Sequence, residues 1–168
     1  MPKDEQIHKA AYKGELAAVE NIIKEGFDIN AIGAGNRTAL HRAVGGGHEE
    51  VVCFLINNNA DVNVVDANGR TPLHWAAISD SIDCANRLLS TNYIDINKQT
   101  KTGATALHMA IENNNANFAL FLLNNGCRTD IKDFDPSRPK TALMMAEEKK
   151  MNSVVKRIKP ESGCCDLM

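Results

Sequence analysis

Four of the five histidines, His8, His41, His74 and His108, recur at spacings of 33, 33 and 34 residues. Imidazoles in register raise metal binding first, because histidine is the commonest protein ligand for zinc. Zinc needs its nitrogen ligands about 2.0–2.1 Å away, so two ligands of one ion lie close together, whereas packed helices stand about 8–10 Å apart. One histidine per layer does not close a shell, and no metal site is expected. The cysteines are Cys53, Cys84, Cys127, Cys164 and Cys165; an odd number, three of them scattered singly, is no disulfide framework. Cys53 follows His48 by five residues, but a nucleophilic thiol needs its base in contact and an oriented cleft. Gly45-Gly46-Gly47 has the composition of a phosphate loop without the G-x-x-x-x-G-K-[ST] pattern, and no G-x-S-x-G or C-x-x-C occurs. No catalytic residue and no cofactor is expected. Cys165 stands fourth from the end, before Asp166, Leu167 and Met168, which is a C-a-a-X prenylation box with an imperfect first "a" residue.

The elements that carry these residues follow from repetition. Thr38-Ala39-Leu40-His41-Arg42-Ala43 returns as Thr71-Pro72-Leu73-His74-Trp75-Ala76, as Thr105-Ala106-Leu107-His108-Met109-Ala110, and more loosely as Thr141-Ala142-Leu143-Met144-Met145-Ala146. A degenerate copy, Glu5-Gln6-Ile7-His8-Lys9-Ala10, precedes them. Five units result, at about 1–33, 34–66, 67–100, 101–136 and 137–159, followed by a flexible tail, 160–168. After each motif comes a Gly or polar break and then a second apolar stretch at helical spacing, such as Val51, Val52, Leu55 and Ile56. Asp28-Ile29-Asn30, Asp61-Val62-Asn63, Asp95-Ile96-Asn97 and Asp130-Ile131-Lys132 close the first four units as short reaches into a turn. The recurrent small residue (Ala10, Ala43, Ala76, Ala110, Ala146) lets helices approach closely.

With this period and these motifs the chain resembles the ankyrin repeat family over residues 1 to about 159. The resemblance implies an all-α solenoid of helix-turn-helix units joined by β-hairpin-like turns, each unit burying its apolar face on its neighbours. It also implies that each histidine of the column bonds backbone at its own turn and at the next. Asn30, Asn63 and Asn97 resemble the pattern that asparaginyl hydroxylases accept in this family. Extra residues at Tyr93-Ile94 and at Asp135-Pro136-Ser137-Arg138-Pro139 depart from the regular repeat and are expected to give the last unit a protrusion of its own.

The chain has 168 residues, 43% hydrophobic and 24% charged, with 19 Lys plus Arg against 21 Asp plus Glu. That is the balance of a folded soluble chain, and it argues against a nucleic-acid partner held by overall charge. The N-terminal residues carry charge where a signal peptide would be apolar, so a cytoplasmic, reducing setting is expected.

Comparison of the units separates core from surface. The position of Ile7, Leu40, Leu73, Leu107 and Leu143 is always apolar and reads as core. The columns that change character are expected to face solvent: Arg37, Arg70, Ala104 and Lys140 at the hairpin tips; Lys9, Arg42, Trp75, Met109 and Met145; and Tyr12, Gly45, Ile78, Glu112 and Glu148. In the family such positions line a concave groove that grips other proteins, so Tyr12, Arg37, Arg42, Gly45, Arg70, Trp75, Ile78, Met109 and Glu112 are the candidate contacts. Trp75, the one tryptophan, reads equally as a contact or as an inter-unit filler. The function expected is a non-enzymatic, monomeric adaptor or inhibitor that binds another protein. Cys165 and Cys164 would offer lipid attachment to a membrane surface, aided by Lys149, Lys150, Lys156, Arg157 and Lys159; the other reading of that tail is an unmodified terminus. Two alternatives are a secreted bacterial or viral effector acting at host membranes, and an enzyme or redox sensor using Cys53 or Cys84.

Overall fold

The computed structural model describes residues 3–159, which form five helix pairs. They are α1 (Lys3–Lys13) and α2 (Leu16–Lys24), α3 (Ala39–Gly45) and α4 (Glu49–Asn57), α5 (Pro72–Ser79) and α6 (Ile82–Leu89), α7 (Ala106–Glu112) and α8 (Ala116–Asn124), and α9 (Ala142–Glu148) and α10 (Asn152–Ile158). The first helices pack in succession, α1 on α3, α3 on α5, α5 on α7 and α7 on α9, as a front row. The second helices form a back row that is thinnest between α6 and α8, beside the extra Tyr93-Ile94. The fold is the expected all-α solenoid.

The repeated Thr begins each of α3, α5 and α7 because it satisfies helix-end donors that nothing else reaches. Thr38, Thr71 and Thr105 have extended backbone at the N-cap, and the histidine three residues on returns the bond by accepting from the threonine N–H. This is a capping box with imidazole in the place of the usual Glu or Gln. Thr141 accepts from the N–H of Met144 but receives nothing back, since Met144 replaces the histidine. Between the helices of each pair one residue turns left-handed: Gly14, Gly47, Asp80, Asn114 and Lys150, with φ of 75, 74, 55, 61 and 56°. Asn59, after α4, takes the same backbone with φ of 67°.

The alanines of the front row are almost completely covered, and Ile7, Leu40, Leu73 and Leu107 are each 1% exposed. Each such leucine stabilises the fold by about 2 kcal/mol through burial alone. Leu143 departs from the expectation. It is only half-buried, because no helix among the described residues covers the far side of α9. In the back row Val52, Leu55, Cys84, Leu88, Phe118, Leu122 and Val154 fill the interior.

Neighbouring units are also tied by polar bonds. Nε2 of His8, His41, His74 and His108 donates to the carbonyl of Ala31, Arg70, Ala104 and Lys140, at 3.0, 3.0, 3.2 and 3.2 Å. For the last three that carbonyl lies in the hairpin of the next unit. A second ladder runs along the closing triplets. The Asn30, Asn63 and Asn97 carboxamides accept from the N–H of Asp61, Asp95 and Arg128 at 2.9, 2.9 and 2.7 Å. Lys132 stands where the next asparagine would be, and an antiparallel bridge to Thr141 closes that hairpin instead.

Candidate protein-interaction face

The hairpins that lead into the front row set the site. Each is closed by backbone bonds, Gly33 to Arg37, Asp66 to Arg70, Thr100 to Ala104 and Asp133 to Lys140. They stack tip on tip through the N–H of Ala67 to Gly35, of Lys101 to Asn68 and of Phe134 to Thr102. A rigid rail of loop residues therefore runs beside the front helices.

Asp66 organises the centre of this rail. It is 4% exposed; its Oδ1 accepts from the N–H of Asn68 and Arg70 at 2.8 and 2.9 Å, and its Oδ2 accepts from Trp75 Nε1 at 3.1 Å. Burial pushes the Asp66 carboxyl up, but the Arg70 and Asn68 amides and the indole N–H outweigh it and hold the group below the usual value. Trp75 is thereby fixed, half-buried on the core. The Arg37 guanidinium lies 4.6 Å and the Arg70 guanidinium 5.6 Å from its ring centre, within cation–π range. Gly45 leaves room beside the indole: a Cβ there would stand 3.5 Å from Trp75 Cε3. Arg42 is half-buried on α3, and burial, with the charge of Arg37 added, lowers its proton affinity.

Tyr12 is 58% exposed at the end of α1, and its carbonyl accepts from His48 Nε2 at 2.8 Å. Ile78 is half-buried at the end of α5, with its carbonyl held by the Asn115 side chain. Glu112 is exposed at the end of α7 and accepts from Lys149 Nζ through its backbone carbonyl. Tyr12, Arg37, Arg42, Gly45, Arg70, Trp75, Ile78 and Glu112 all lie on the hairpins or front helices and all keep some exposure. Met109 does not face solvent as expected. It is 8% exposed, walling a cleft of about 530 Å³ with Met145, Phe134, Pro136, Asp133 and Glu112. The lengthened hairpin of the fifth unit covers it. Phe134, 60% exposed on that hairpin, is a surface aromatic that the unit comparison missed; an aromatic beside the irregular insertion was the available signal. Asp66 was missed too, because its role depends on a bond to a side chain nine residues away.

The residues considered for chemistry are occupied structurally. The Nδ1 atoms of His41, His74 and His108 accept from the N–H of Thr38, Thr71 and Thr105 at 3.2, 3.1 and 3.2 Å, which leaves the proton on Nε2. Burial lowers all three pKa values, that of His74 to about 4. His48 serves the Tyr12 carbonyl, while Cys53 lines a back-row cleft with Glu49, Glu50, Phe54, Asn57 and Arg87. Burial raises the thiols of Cys84 and Cys127 to about 11, so neither is a thiolate at neutral pH. Cys164 and Cys165 lie outside the described residues.

Comparison with known proteins bears on this architecture. The family model described as ankyrin repeats (3 copies) matches residues 7–100, 60–133 and 91–166. Among curated proteins, serine/threonine-protein kinase TNNI3K of Mus musculus and of Rattus norvegicus is 34% identical over 85 residues, which is 47% of this chain. The matched region spans 10% of each kinase. Repeat period, threonine-histidine capping, hairpin rail and family match coincide over the same residues: the chain belongs to the ankyrin repeat family.

Proposed function

We propose that this protein is a non-enzymatic adaptor or inhibitor that binds another protein through its hairpin tips and front helices. The observation that carries the reading is the Arg37–Trp75–Arg70 stack. The indole is held by Asp66 and by the core, with the two guanidiniums against its ring, yet all three side chains remain partly open to solvent. Aromatic and arginine side chains are the residues most enriched at binding hot spots. A surface fixed before binding loses little side-chain entropy when a partner arrives, so more of the contact energy appears as affinity.

Affinity capture with mass spectrometry from a eukaryotic lysate tests this, comparing the native chain with a variant altered at Tyr12, Arg42 and Ile78. A protein retained by the native chain and lost from the folded variant supports the reading. Capture of the same set by both chains refutes it.

We further propose that the protein works in the cytoplasm and that prenylation at Cys165, with Cys164 as a second acylation site, brings it to a membrane surface. The exposed Lys149, Lys150, Lys156, Arg157 and Lys159 add positive charge near that end, although Lys149 and Arg157 are already bonded within the fold. Intact mass after eukaryotic expression tests the lipid. A prenyl mass with loss of the last three residues supports it, and the encoded mass removes it.

A further inference from the structure

Of the seven arginines, four have acceptors within the fold: Arg87 on Glu49, Arg128 on Asp130, Arg138 on Glu148 and Arg157 on Asn124. The other three, Arg37, Arg42 and Arg70, gather on the second and third units, and none of their guanidiniums has an ion pair among the described residues. The Nε–H groups of Arg37 and Arg42 are buried without an acceptor. Those Nε atoms are out of a ligand's reach, but all three side chains keep part of their surface open, so the outer ends of the guanidiniums are where this face lacks an acceptor. The carboxylate at hand, Asp66, is committed to two backbone amides and the Trp75 indole.

We propose that Arg37, Arg42 and Arg70 dock an acidic peptide segment of the partner protein, whose Asp or Glu carboxylates pair with the open ends of these guanidiniums. The inference rests on the protein-binding reading above and names the chemistry of what is bound. Three features favour such a ligand. Guanidinium and carboxylate match in planar, paired hydrogen bonds. Arg37 and Arg70 share one indole, 4.6 and 5.6 Å from its centre, so their charges lie within about 10 Å of each other, a span that same-face side chains of an extended strand, about 7 Å apart, can bridge. The like charge of Arg37, which adds to burial in lowering the proton affinity of Arg42, is offset when an anion arrives.

The length of the ligand follows from the rest of the face. Toward the fifth unit it carries Glu112, Asp133, Asp135 and Glu148, the first three lining the cleft beside Phe134. Glu148 is neutralised by Lys140 and Arg138, whereas no ion pair covers Glu112, Asp133 or Asp135 among the described residues. A long polyanion laid along the rail would meet these carboxylates. A short acidic segment ending near Trp75 does not, which favours a peptide over nucleic acid or an anionic bilayer.

Trp75 is the single tryptophan and reports on this site. The full-length protein is titrated at low salt with a synthetic six-residue peptide of alternating Glu and Leu, with its Lys-for-Glu counterpart, with a thymidine oligonucleotide and with phosphatidylserine vesicles. The expected result is saturable change in Trp75 emission with the Glu peptide alone, weakened at least ten-fold in a folded R37Q/R42Q variant and by raised salt. Binding of the Glu peptide that is unchanged in this variant, or absence of saturation, overturns the proposal. Preferred binding of the oligonucleotide or the vesicles also overturns it. A captured partner that is lost on altering Tyr12 and Ile78 but kept by R37Q/R42Q would uphold the interaction face while refuting the acidic ligand.

Discussion

Acid should unfold this protein through its histidine column well before its carboxylates protonate. Nδ1 of His74 accepts from the Thr71 N–H at 3.1 Å, and Nε2 donates to the Ala104 carbonyl at 3.2 Å in the next hairpin. A proton can enter only at Nδ1, where it would displace the Thr71 N–H bond and charge a ring that is 1% exposed. Burial accordingly holds the group at about 4 against an ordinary 6.5. The unfolded chain takes up the proton first, so this histidine's contribution is complete above pH 6.5 and is lost as pH falls toward 4. At about 1.4 kcal/mol per unit, the displacement corresponds to about 3 kcal/mol from His74 alone. His41 and His108 are shifted in the same direction and add to the slope. Asp66, held below its usual 3.8, contributes above that value and is lost only at lower pH, beneath the histidine window. Urea unfolding followed by circular dichroism from pH 8 to 5 measures the effect. Stability should fall steeply below pH 6.5, and His74→Gln should reduce the slope by about 1 kcal/mol per pH unit. A flat profile, or an unchanged slope in His74→Gln, would refute the reasoning.

Other consequences can be checked on the same material. Gly47→Ala places a side chain at φ 74° and 3.3 Å from Ser81 Oγ, and should cost about 1–2 kcal/mol in chemical denaturation. Asn63→Ala removes the bonds to the Asp95 N–H and the Tyr93 carbonyl, and should cost about 1–2 kcal/mol by the same assay. Cys84, 1% exposed and pushed up to about 11, should react with a thiol reagent at pH 7 only as the chain unfolds, as followed by peptide-resolved mass, while half-buried Cys127 should react slowly in the folded chain.

The regular parts of the fold were legible because they repeat. Leu40, Leu73 and Leu107 are equally buried in successive units, so a constant residue type in one column reports a constant degree of cover. The limits lie where a unit has an unusual neighbour. Leu143 keeps the core residue type but loses cover at the end of the described stack, while Met109 gains cover from the long hairpin beyond it. The left-handed turn at Lys150 was unreadable because lysine gives no signal for that backbone, unlike Gly47 or Asn114. Candidate contacts could be assigned to columns, but the stack of Arg37 on Trp75 joins residues 38 apart in sequence. It depends on the rise between units, which no single column encodes.

The most direct test of the account is hydrogen–deuterium exchange of the protein alone and bound to a captured partner. The account predicts added protection in the hairpins around 34–37 and 67–70 and in α1, α3 and α5, with α2, α4 and α6 unchanged. Protection confined to the back-row helices would contradict it.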